Sequence, residues 1–361
     1  MTNFEKWKNK FEKQNLYEFN DNENALLWLK VRAICREKYI KKFLTENNIT
    51  LLSKKTKDIN VELFEKLESM PNAMSLLDNF LKDRNNEWYN TMNVNEDELK
   101  FDLLKVHHYN WGGDQNNSLD KHLVSRYVKV ISKYDDLCNK QNDIATNAWN
   151  YVQTSWYNNW TSFLIESLFK RHIKVVSAVG EIKSVDFFLD NIPIDLKVTY
   201  FPKEYLQMKL KEKLGCKELS WLKKKAKDAK IRIPTNQTDS QLLYSLSELL
   251  INAGSKNVLD ELSAKRKEVI DEVCGKPLEL MTWLYEEQGE MRFGAENRLF
   301  VILVDSNDIS QSWKMKRDFK MIESKVNKYL NSFNKNTMSE IEFSYKNKYY
   351  KSLSDVIFVI K

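Results

Sequence analysis

A chain of 361 residues with four cysteines, four histidines and eight glycines is short of three chemistries at once. Cys35, Cys138, Cys216 and Cys274 stand singly, with no CxxC spacing. That pattern offers neither a disulfide framework nor a zinc site. Two histidines are adjacent, in His107-His108-Tyr-Asn-Trp111, and no second cluster has ligand spacing. A histidine-held metal centre is therefore not expected. With so little glycine there is no phosphate-cradling loop, so a nucleotide-driven motor is not expected. Ser and Cys nucleophile motifs are missing as well. The longest apolar runs are about six residues, as in Leu299–Val304, far short of a membrane span. The opening Met1-Thr-Asn-Phe-Glu-Lys-Trp-Lys8 carries charge where a signal peptide needs an apolar run. A cytoplasmic protein without membrane contact is the expectation.

What is present is an ordinary soluble composition. Hydrophobic residues make up 42%, enough for a sizeable core in two or three subdomains. Net charge is only +6, but it is unevenly spread. Lys203–Arg232 holds eleven basic and four acidic residues. The block Trp221-Leu-Lys-Lys-Lys-Ala-Lys-Asp-Ala-Lys-Ile-Arg232 dominates, and Lys223, Lys224, Lys225, Lys227 and Arg232 suit a phosphate backbone. A solvated helix face is the competing reading.

Periodicity divides the chain into about 1–144, mostly helical, and about 145–361. Helices are expected at Glu23–Phe43 and, on either side of Pro71, within Val61–Leu81. Asn110–Ser118 reads as a loop, and helical spacing resumes from about Ala145 to Arg171. The pattern then changes to a strand at Ile173–Val179, a turn at Gly180–Ser184, and a hairpin over Val185–Phe201. Residues of about 203–298 read as a helical insertion. Within it Thr238-Asp-Ser-Gln241 has capping-box spacing, and Gly254 is a helix stop. Leu299–Val304 reads as a buried strand. A helix over about Gln311–Phe333 and strands at Ile341–Tyr345 and Val356–Ile360 close the chain. The implied fold class is α/β, a mixed sheet flanked by helices.

The hairpin carries the chemistry. Asp190-Asn191-Ile192-Pro193 is a turn cluster between apolar strands. Centred on Asn191-Ile192, it sets Asp186 opposite Lys197 and Phe188 opposite Asp195. Alternation puts Asp195 and Lys197 on one face. Asp186 joins them diagonally to Asp195, at roughly 7–8 Å or less. Two neighbouring carboxylates are costly without a counter-charge, and a divalent cation supplies one. Acidic-x-Lys alone means little: Glu98-Leu-Lys100, Glu181-Ile-Lys183, Asp228-Ala-Lys230 and Glu323-Ser-Lys325 also occur. Asp195-Leu-Lys197 differs in lying behind a turn, with a second acid nine residues upstream and Ile194, Leu196 and Val198 anchoring the opposite face. An Asp–Lys pair on a solvated strand is the plainer alternative.

This arrangement resembles the active site of the PD-(D/E)XK nuclease superfamily, with its restriction-endonuclease-like fold. Glu166 on the preceding helix, Asp186, and Asp195-x-Lys197 follow the family's order over about 155–201, with looser support from 299–333. Val185 stands where the family's name has proline. The resemblance implies that Asp186, Asp195 and the Leu196 backbone carbonyl hold Mg²⁺, with Mn²⁺ as a substitute, and that the metal acts as a Lewis acid. It implies that Lys197 orients the attacking water and stabilises charge on the phosphate. Glu166 would bind a further ion, although Glu166–Lys170 is also an ordinary i,i+4 pair; Glu181 is a possible replacement. Two further segments are candidate nucleic-acid contacts. One is Ser312–Arg317, with Lys314, Lys316 and Arg317; the other is the polar, aromatic stretch Tyr285–Arg298. The activity implied is that of a type II restriction enzyme: Mg²⁺-dependent, sequence-specific hydrolysis of double-stranded DNA. Cutting both strands implies a homodimer. A structure-specific repair, transposition or RNA nuclease, and a non-catalytic nucleic-acid-binding protein with the same fold, stay open.

Overall fold

The computed structural model describes residues 1–109, 119–182, 184–287, 295–345 and 347–361. The expected loop Asn110–Ser118 and residues 288–294 of Tyr285–Arg298 lie outside them. The chain begins with helices α1 (Asn3–Glu12), α2 (Glu23–Ala33), α3 (Glu37–Glu46), α4 (Thr56–Glu68), α5 (Ala73–Thr91) and α6 (Glu96–Leu104). Next come α7 (Leu119–Leu123), α8 (Tyr134–Asn139) and the long α9 (Gln141–Lys170). Strands β1 (Val175–Ile182), β2 (Val185–Leu189) and β3 (Ile192–Tyr200) form a meander. Helices α10 (Lys203–Leu214), α11 (Glu218–Asp228), α12 (Asp239–Asn252), α13 (Lys256–Gly275) and α14 (Leu278–Glu287) separate it from β4 (Arg298–Val304). A 3-10 stretch (Ile309–Arg317), α15 (Phe319–Ser332), β5 (Ser339–Tyr345) and β6 (Lys348–Ile360) complete the chain.

The six strands make one mixed sheet in the order β1-β2-β3-β4-β6-β5. The pairs β1–β2, β2–β3 and β5–β6 are antiparallel, and β3–β4 and β4–β6 are parallel. Parallel neighbours need a crossover, and α10–α14 provide the one between β3 and β4. Every residue of β4 is buried, as a central strand covered on both faces requires. One face, with Leu196, Leu299, Val301 and Val359, packs on Ile165 and Phe169 of α9 and on Ile322 and Val326 of α15. The other, with Phe300, Ile302 and Val304, packs on α10, α13 and α14. Residues Val176, Ala178, Val185 and Phe188 of β1 and β2 pack against α1, α2, α4 and α5. No helix among the described residues is long and apolar enough to cross a membrane.

Several expected boundaries move, each for a tertiary reason. The single helix over Glu23–Phe43 is two, because Ile34 at its break turns into the core, where it is buried. The Gly180–Ser184 turn is shorter, because β1 continues to Ile182 through a register shift after Ser177, the usual effect of a bulge. The helix over Gln311–Phe333 splits at Asp318. That residue caps α15 by accepting from the Met321 N–H at 3.2 Å. The capping box at Thr238 and Gln241 forms as read, and Gly254 takes the left-handed conformation (φ +71°) that ends α12.

Candidate active site

The β2–β3 turn uses Asp190 and Asn191, whose φ angles are +45° and +68°. A two-residue hairpin turn with both centres at positive φ suits Asp and Asn but not a β-branched residue such as Ile192. The turn therefore centres one residue earlier than Asn191-Ile192, and pairing runs Leu189↔Ile192, Phe188↔Pro193 and Phe187↔Ile194. Each residue's partner shifts by two positions, so the faces are unchanged. Pairing ends at Phe187↔Ile194, so Asp186 and Lys197 are not a cross-strand pair. Phe188, in turn, faces Pro193 and not Asp195.

Beyond Phe187 the ladder gives way. The Leu196 N–H donates to Asp186 Oδ2 at 2.8 Å in place of a β2 backbone acceptor. The neighbouring Asp195 N–H points the other way and donates to the Asn297 carbonyl at 2.9 Å. Strand alternation then directs the Leu196 carbonyl to the same split edge as its N–H. Lys197 Nζ donates to Asp195 Oδ1 at 2.7 Å. Asp195 Oδ2 is buried without a hydrogen bond, and Arg298 Nε lies 3.6 Å from it. Burial pushes the Asp195 carboxyl up to about 6; the Lys197 and Arg298 charges oppose the shift and the Asp186 charge adds to it.

Arg298 is the main residue that the sequence reading misplaced. It is not part of a loop. It is the buried first residue of β4, in register with Asp195. Its guanidinium lies 4.3 Å from the Tyr285 ring centroid and donates to Glu296 at 3.2 Å. The one available signal was a basic residue opening an otherwise continuous apolar strand. A buried amide, Asn297, ties the elements together. It donates to the Pro193 carbonyl at 3.0 Å, accepts from the Leu353 N–H at 3.0 Å, and pairs with Asn20.

The donor set fits a hard divalent cation. Asp195 Oδ2 is buried without a hydrogen bond beside the Arg298 charge, Asp186 keeps one oxygen beyond the bond to Leu196, and the Leu196 carbonyl shares their edge. Glu166 is engaged on its own helix. Its carboxylate accepts from Lys170 at 2.9 Å. No group of three or more His, Cys, Asp or Glu able to hold a metal occurs among the described residues. The side chain of Glu181 lies outside what is described.

The candidate nucleic-acid contacts divide. Lys224, Lys227 and Arg232 are exposed and Lys223 is half-buried. Lys225 pairs with Glu261 at 3.0 Å and covers the Trp221 ring. Lys314 is exposed. Lys316 is buried and donates to Asn158 at 3.0 Å, with burial lowering its amine to about 8. Arg317 donates to the carbonyls of Leu103, Leu104 and Val106, so it fastens the end of α6. Comparisons with protein-family models, with curated proteins and with solved structures give no match.

Proposed function

We propose that this chain is a Mg²⁺-dependent endonuclease with a restriction-endonuclease-like core, hydrolysing phosphodiester bonds of double-stranded DNA. The observation that carries the reading is the split edge between β2 and β3. There Asp186 caps the Leu196 N–H, Asp195 keeps a buried oxygen without a hydrogen bond, and Lys197 holds its other oxygen. Asp186, Asp195 and the Leu196 carbonyl would hold the metal, which when bound supplies Lewis-acid polarisation of the phosphate and acidifies water. Lys197 sits at the mouth, 29% exposed against 8% for Asp195. From there its ammonium orients the attacking water and meets charge growing on the phosphate oxygens. Arg298 steadies Asp195 from below.

The exposed part of the basic block on α11 and just after it supports the substrate assignment, because Lys224, Lys227 and Arg232 offer a sequence-independent phosphate contact. Sequence specificity and a homodimer remain part of the same proposal. The test is purified protein with mixed-sequence plasmid and phage DNA, in Mg²⁺ and in EDTA, beside Asp195→Ala. Discrete Mg²⁺-dependent fragments that vanish in the variant support the reading. Intact duplex throughout, with cleavage of branched, single-stranded or RNA substrates, replaces the substrate; binding that survives EDTA without any cleavage replaces the enzyme.

A further inference from the structure

A cavity of about 500 Å³ opens beside the N-terminal half of α9, lined by His108, Tyr109, Trp149, Asn150 and Gln153. That volume is within the range of small-ligand sites. Its chemistry is selective: three flat rings, two side-chain amides, and no Asp, Glu, Lys or Arg among the five. Phosphate is a poor occupant of such a lining. A nucleobase is a good one, because every base has a stackable face and an edge that pairs with Asn or Gln amides.

The walls are held in place. Tyr109 shares hydrogen bonds with Asn158 at 3.1 and 3.3 Å. Its ring stacks on Trp313, with centroids 5.3 Å apart and planes 14° from parallel. Trp149 is 63% exposed, which is unusual for so large an apolar side chain. One and two turns further along α9, Val152 and Trp156 continue the exposed stripe on the same side. The same helix then passes beneath the catalytic hairpin, where Ile165 and Phe169 pack with Phe187 and Leu196. From Trp149 to Ile165 the helix rises about 24 Å, while on the other wall Tyr109 meets Tyr200 at the end of β3, ring centroids 6.3 Å apart.

We infer that this cavity is a nucleobase-binding subsite, taking one unpaired or extruded base by stacking on Trp149 and hydrogen bonding to Asn150 and Gln153. The inference rests on the nuclease reading only in taking the ligand to be nucleic acid.

The test is a fluorescence titration of the full chain in EDTA with a short single-stranded oligonucleotide carrying one 2-aminopurine. A matched oligonucleotide abasic at that position is the control. The expected result is quenching of the 2-aminopurine, weaker binding of the abasic strand, and a loss of about tenfold or more in Trp149→Ala. Trp149→Phe should retain most of the binding, and Gln153→Ala should weaken it. Trp149 is on the surface, so thermal melting of the variants should match the wild type. Equal affinity of wild type and Trp149→Ala, no preference over the abasic strand, or no binding at all overturns the inference. Plasmid cleavage measured on the same preparation keeps the two readings apart. Base binding with intact plasmid leaves the subsite standing and removes the double-stranded DNA nuclease. Cleavage with unchanged binding in Trp149→Ala does the reverse.

Discussion

At Asp195 burial and charge pull against each other, and burial wins. The folded carboxyl lies near 6 against an ordinary 3.8, in spite of Lys197 and Arg298 beside it. A raised folded value means that the folded state binds the proton more tightly than the unfolded chain. The stability this confers is complete below about pH 4 and is lost as pH rises through 6, by roughly 3 kcal/mol at most. Asp195→Asn should therefore melt higher than wild type at pH 8 in EDTA, with the gap closing towards pH 4. A gap that ignores pH would sink the burial account. Saturating Mg²⁺ should raise the melting temperature of the wild type and leave that of Asp195→Asn unmoved, because only a ligand bound to the folded state stabilises it. Lys197→Ala should lower Mg²⁺-dependent cleavage by about 10²–10⁴-fold with melting near wild type; full activity would refute the assignment.

Among the elements, the β2–β3 hairpin decides the site, and α2 holds that hairpin. Lys30 is fully buried; its amine lies 2.5 Å from Asp78 and donates to Asn191 Oδ1 at 2.7 Å. One buried cation thus grips the turn of the hairpin that carries Asp186 and Asp195. Lys30→Met should cost about 2–3 kcal/mol, less than a fully buried pair because Asp78 is partly exposed. It should also raise the Mg²⁺ concentration needed for cleavage. A stability loss with unchanged Mg²⁺ dependence would leave Lys30 as ordinary packing. On α11, Lys224→Ala with Lys227→Ala should weaken DNA binding and lower the salt slope by about one unit each. Lys225→Ala should do less, since its amine is engaged with Glu261. The hairpin strands, the capping box at Thr238 and the buried β4 were legible in the sequence because each has a local cause: alternation, a side-chain cap, an apolar run. The turn centre was not, since it depended on weighing Ile192 against Asp190 at positive φ.

For the whole molecule, the N-terminal helices are part of the core. Phe4, Trp28, Leu63 and Leu77 share one apolar cluster with Val176, Ala178, Val185 and Phe188. A chain started at Gln141 should expose that face of β1 and β2. It should aggregate or lose its near-ultraviolet dichroism; a cooperative melt from the truncated chain would contradict this.

The sequence by itself determined the alternation of helices and strands, the hairpin that carries Asp186, Asp195 and Lys197, and the basic block, because periodicity and local charge are properties of neighbours along the chain. Tertiary structure alone decided that Arg298 faces Asp195, that Lys316 and Arg317 are fasteners, and that His108 and Trp149 share a cavity. Those are meetings between residues far apart in sequence, and only the packing of the sheet between its helical layers selects them.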